Sequence, residues 1–128
     1  MIPADVAQLV EGTNIAHLAT VLPDGSPHSV PVWIDREGDR LAILTGPDSQ
    51  KARNMARDPR VAISVADQAN PYATAIVRGR VAEVVDGDEA WRIIDRISRK
   101  YTGQDYGLRT GRVVFLIEPD TARAVAFG

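Results

Sequence analysis

The chain contains no cysteine. It therefore has no disulfide framework, no thiolate nucleophile, no zinc knuckle and no cysteine-ligated iron–sulfur cluster. Histidine is almost as scarce. His17 and His28 are the only two, so one chain cannot assemble a three-histidine metal site, and no metal is expected. Lysine also occurs twice, at Lys51 and Lys100, and the remainder of the 15 basic residues are arginine. Against 17 acidic residues the net charge is −2, so no basic field points to nucleic acid. No apolar run approaches the ~20 residues that cross a bilayer. The opening MIPADVAQLVEG lacks the charged-then-apolar pattern of a secretory signal. The expected compartment is the cytoplasm, with no membrane partner.

What is present is ordinary globular material. The 128 residues are 45% hydrophobic and 25% charged, which fits one domain over 1–128. No repeat or linker interrupts it. Pro3, Val6, Leu9 and Val10 predict a helix over 3–11 that stops at Gly12. Strands follow at Ile15–Leu22 and Pro27–Asp35, divided by the Pro23-Asp24-Gly25 turn, and at Arg40–Thr45 after a turn at 36–39. Asp48 is placed to cap a helix that runs to Arg57, with Ala52, Met55 and Ala56 inward and Pro59 ending it. Val61–Ala66 and Tyr72–Val85 are the next strands, the second with a bulge expected at Gly79. Asp88 is placed to cap a helix whose Ala90, Ile93, Ile94, Ile97 and Tyr101 face the core. Its Arg92, Asp95 and Arg99 are spaced to pair along the polar side. Gly111–Glu118 and Thr121–Phe127 read as two last strands separated by Pro119. Antiparallel strands with inserted helices predict a mainly β, α+β fold, a barrel or curled sheet.

Three segments could carry chemistry. At Thr45-Gly46-Pro47-Asp48-Ser49-Gln50-Lys51 a strand ends in a turn and a helix opens. A helix N-terminus offers free N–H groups and a positive dipole end to an anion. Lys51 is unfavourable for that dipole unless something anionic neutralises it, and Asn54 follows at i+3. A capped surface helix with a solvated lysine fits the same residues. In Ser29-Val30-Pro31-Val32-Trp33, Pro31 shares parity with Pro27, which marks an edge strand. Its backbone could meet a planar ligand, or it could be an edge guarded against aggregation. Along the fifth strand Tyr72, Thr74, Ile76, Arg78 and Arg80 share one face. That face suits a subunit interface, a ligand wall or plain solvent. His17, among apolar neighbours, reads as a hydrogen-bonded structural residue, and His28 as exposed. The carboxylates and serines form no acid–base pair and no nucleophile elbow, so no catalytic side chain is assigned.

Taken in order, "LATVLPDGSPHSVPVWID", "LTGPDSQKARNMARDPRVAISV", "NPYATAIVRGRVAEV", "YTG" and "GRVVFLIEPDTARAV" resemble the split β-barrel flavin and deazaflavin oxidoreductases related to pyridoxamine 5′-phosphate oxidase. The resemblance is closest to the small actinobacterial branch that uses coenzyme F420. It implies an antiparallel split β-barrel with short flanking helices. It implies that Ser49, Gln50 and Lys51 hold the cofactor phosphate, with Thr45 and Asn54 beside them. It also places Ser29, Val30, Pro31, Val32 and Trp33 along the ring system, and Ile76, Val77, Arg78 and Gly79 at the same site. A homodimer with the cofactor at its interface is implied as well. The chain departs from the vitamin B6 oxidases, since Arg123-Ala124-Val125 lacks their Arg-x-His element, and it has no late histidine for haem. The expected activity is an F420-dependent reductase passing hydride to a conjugated or unsaturated small organic substrate. The alternatives are an FMN-binding oxidoreductase of the same fold and a non-catalytic cofactor-binding protein.

Overall fold

A computed structural model describes residues 2–126. Seven strands build one sheet: β1 (Ala16–Val21), β2 (Pro27–Val32), β3 (Asp35–Glu37), β4 (Arg40–Thr45), β5 (Arg60–Ala66), β6 (Ala73–Val85) and β7 (Val113–Ala126). They lie in the order β2-β1-β5-β6-β7-β4-β3, and every pairing is antiparallel. Helices α1 (Ala4–Glu11), α2 (Gln50–Arg57) and α3 (Gly87–Thr102) flank it. Among the described residues no helix is long and apolar enough to cross a membrane.

β2 and β3 are the two opposite edges of this sheet, yet two residues, Trp33 and Ile34, connect them. Three Cα steps from Val32 to Asp35 span at most about 11 Å. The sheet must therefore curl until its edges nearly meet, which makes it a split barrel. The sequence expectation of one strand over 27–35 fails here, because the chain leaves one edge and joins the other. Backbone groups in that crossing have no ladder partner, and α3 supplies substitutes. The Ile34 N–H donates to the Tyr101 hydroxyl (3.2 Å), which donates to the Asn14 carbonyl (2.6 Å). Lys100 Nζ donates to the Ile34 carbonyl and to the Val10 carbonyl.

Inside the curl, Leu18, Ile34, Leu41, Ile43, Ile63, Val65 and Ile117 pack with Val6 and Val10 of α1. A second cluster lies outside it, where Ala90, Ile93, Ile94 and Ile97 of α3 cover Ala42, Val114 and Leu116. Both faces of β4 are thus covered, and its LAIL run is continuous rather than alternating.

Several local expectations are corrected. The last two predicted strands are one, β7, and Phe127 lies outside the described residues. Pro119 fits within it because it falls opposite Gly79 at a shift in register, where a missing N–H removes no ladder bond. The register does shift at Gly79, but the extra residue there is Asp120 on β7, and the extra residue of β6 itself is Ala82. A Cβ on Gly79 would lie 2.3 Å from the Glu118 carbonyl oxygen, so glycine permits the close approach. Helix α2 is capped by Ser49, not Asp48: the Ser49 Oγ accepts from the Ala52 N–H at 3.2 Å. Helix α3 begins at Gly87, ahead of Asp88, with no side-chain cap. Ala56 is exposed, and Asn54 takes its place inside with Ala52 and Met55. Asp95 does not pair along its helix; Arg92 meets Glu89 and Glu37, Arg99 meets Asp105, and Asp95 meets Arg109. His17 is exposed on alternating β1. His28 is half-buried, with Nδ1 enclosed and unpartnered among the described residues.

Candidate functional site

Where β4 ends and α2 begins, Thr45 is buried and its Oγ1 lies 2.8 Å from the Ser49 Oγ. Ser49 is thereby fixed in its capping role. The cap satisfies the third N–H of the helix, and the Gln50 and Lys51 N–H groups have no intrahelical acceptor. The pairing of Thr45 with Val113 brings the start of β7 alongside. Arg112 therefore reaches the same place, and a Cβ on Gly46 would lie 3.3 Å from its Nη1. Thr45, Gly46, Ser49, Lys51, Tyr106 and Arg112 line a cavity of about 420 Å³.

That cavity shares Leu44, Lys51 and Tyr106 with a neighbouring groove of about 350 Å³, whose other walls are Ile15, Pro31, Val32 and Trp33. One continuous trench results, cationic at the α2 end and apolar at the β2 end. Trp33 stacks flat on Tyr101, with centroids 5.2 Å apart, and meets Tyr106 edge-on at 6.4 Å. Its indole is held on two sides, so the apolar wall is rigid.

The charges are arranged unusually. Most arginines pair with carboxylates, but among the described residues neither Lys51 nor Arg112 has one within ion-pair distance. Arg112 donates from Nε to the Tyr106 hydroxyl (3.2 Å) and from Nη1 to the Gly111 carbonyl (2.8 Å). Partial burial, and then the nearby Arg112 charge, push the Lys51 pKa down from 10.5. Two cations thus share one end of the trench, and among the described residues no ion pair offsets either. An anionic group bound there would remove that imbalance.

Most of the expected segment at 45–51 and the strand end at 31–33 come together in the trench. Ser29 and Val30 lie further back along β2 and do not line it. Gln50 and Asn54 turn away. The Asn54 side chain is fully buried, donates to Thr20 Oγ1 (3.0 Å), and accepts from Gln50 Nε2 (2.7 Å). It secures α2 to β1. On β6, Val77 is in the core and Ile76 is half-buried. Arg78 and Gly79 line a separate cavity of about 500 Å³ with Thr20, Ala62 and Arg60. Within one chain this segment does not reach the trench. Sequence reading missed Ile15, Leu44, Tyr106 and Arg112. Pairing β4 with the strand after Gly111 is the signal that could have placed Arg112 beside Gly46.

The chain is similar to solved structures over almost its whole length. A protein named F420 Reductase superposes with a TM-score of 0.83 at 31% identity, over 95% of this chain and 98% of that one. A conserved hypothetical protein from Mycobacterium tuberculosis gives a TM-score of 0.83 at 28% identity, over 98% and 85% of the two chains. General Stress Protein 26 from Bacillus anthracis, at 18% identity with a TM-score of 0.74 over 94% and 91%, shares the fold. Among curated protein sequences no match is found. The family model described as pyridoxamine 5′-phosphate oxidase matches residues 2–126, and the chain belongs to that family.

Proposed function

We propose that this chain is an oxidoreductase that holds coenzyme F420 in the trench and serves hydride transfer between the deazaflavin and a conjugated small organic substrate. The observation that carries the reading is the uncompensated pair Lys51 and Arg112 at the N-terminus of α2, beside an apolar aromatic wall. The 31% identity to a protein named F420 Reductase supports it.

The residues present fit a phosphorylated, ring-bearing cofactor. Lys51 and Arg112 neutralise a phosphate, and the Gln50 and Lys51 N–H groups are open to it. Thr45 holds Ser49 in place before any ligand arrives. Pro31, Val32, Trp33, Leu44 and Ile15 offer an apolar surface to a planar ring and keep water from it. When bound, the deazaflavin supplies the hydride chemistry, and the protein supplies binding, orientation and electrostatics. The Tyr106 hydroxyl accepts from Arg112 Nε and keeps its own proton to donate into the trench. We infer further that the working unit is a homodimer. The trench is open along one side, and half-buried Ile76 and Arg78, which has no carboxylate partner among the described residues, would face it from a second copy.

Titration of oxidised F420 by its own fluorescence tests the reading. Micromolar binding is expected. Lys51→Ala should weaken it by about 1.5–3 kcal/mol, the worth of a charge-assisted phosphate contact. No binding of F420, or a yellow flavin spectrum on purification, would reject F420 as the cofactor, and the second result would put FMN in its place.

A further inference from the structure

Two walls of the trench, Tyr106 and Arg112, stand on the loop between α3 and β7. That loop has no ladder and no helix of its own. Asp95, on α3 and only 9% exposed, holds it. Its Oδ1 accepts from the Tyr106 N–H (3.1 Å) and from Arg109 Nη1 (2.7 Å), and its Oδ2 accepts from Arg109 Nη2 (3.1 Å). Arg109 Nη1 also donates to the Tyr106 carbonyl (2.9 Å). Both backbone polar groups of Tyr106 therefore end on one ion pair. The Arg109 guanidinium lies over the Trp91 ring, 4.6 Å from its centroid, which fixes it from the other side. Tyr106 then meets Trp33 edge-on and receives the Arg112 Nε bond. An unbroken series of contacts runs from a carboxylate outside the trench to both ends of the trench.

We propose that Asp95 and Arg109 are positioning residues: together they fix the Tyr106 backbone, and through Tyr106 they set Arg112 and Trp33 for an anionic, ring-bearing ligand. The ligand clause rests on the proposed function above; the clamp itself does not. Asp95 and Arg109 line neither part of the trench. Asp95 is enclosed but Arg109 is open to solvent on one side, and an ion pair of that kind contributes little net stability. Arg109 is half-exposed, and Arg109→Gln keeps an amide donor for the Asp95 carboxylate, so the variant is expected to fold.

The test uses the full chain carrying Trp91→Phe, which keeps a ring under Arg109 and makes Trp33 the only tryptophan. Two measurements need no ligand: exchange of the Tyr106 amide hydrogen and the emission maximum of Trp33. Arg109→Gln and Asp95→Asn should each speed that exchange and move that emission in folded protein. Each should also weaken binding of inorganic pyrophosphate by roughly tenfold. The double variant should be no worse than the worse single, because both members serve one clamp. Exchange and emission unchanged in both variants would overturn the proposal, as would effects that simply add. Lys51→Ala separates the two readings. If it leaves pyrophosphate binding unchanged, the anion site fails, and the ligand-free measurements alone decide the clamp.

Discussion

Lys51 carries a stability cost that a bound anion would offset. Burial and then Arg112 lower its pKa from 10.5. A base with a lowered folded pKa costs stability wherever both states are charged. The cost is full below the folded value and disappears as pH rises past 10.5. Lys51→Met should therefore raise the melting temperature of the ligand-free protein at neutral pH, with the gain shrinking in alkali. Anion affinity should run the other way, falling as pH rises through the lowered value, earlier than an ordinary lysine would permit. Paired melts and titrations between neutral pH and 10.5 check both signs. At this scale the sequence disclosed what local chemistry disclosed. Ser49 and Lys51 were legible because a strand end, a turn and a helix start are adjacent in the chain. Asn54 was misplaced because helical spacing gives a direction without saying what lies there. β1 lies there, and its Thr20 takes the amide.

Elements were legible in kind more than in extent. Pro119 looks like a boundary when read alone, but a 14-residue β7 runs through it. The reason is Gly79 on the neighbouring strand, which lets the Glu118 carbonyl come in and shifts the register. Gly79→Ala should cost about 1–3 kcal/mol in denaturant melts, because its Cβ would strike backbone rather than a yielding side chain. A loss near zero would mean that the two strands can separate there freely. The division of 27–35 into two strands was equally hidden. Hydrophobic alternation marks strands, but it does not mark the point where a chain changes sheet edges. Arg112 was missed for the same reason, since strand pairing and not spacing brings it to α2.

For the whole molecule, composition indicated one globular domain with few catalytic side chains, strand patterning indicated a mainly β fold, and only the family resemblance implied a bound cofactor. The scarcity of cysteine, histidine and lysine fits a scaffold that presents two cations and an apolar wall. The resemblance supplied the split barrel, and the short link between opposite sheet edges explains it physically. The proposed dimer should sediment at twice the chain's 13.9 kDa, and Ile76→Glu should shift it to the monomer. A wild-type monomer would leave the open side of the trench uncovered and reject that arrangement. The central claim is that the trench between α2 and β2 binds the cofactor. Hydrogen–deuterium exchange with and without saturating F420 tests it most directly. Protection is predicted at 31–34, 44–52 and 104–112, with a further patch at 76–79 from the second copy. Protection confined instead to the cavity between α1 and the 67–69 loop, or no protection at all, would contradict it.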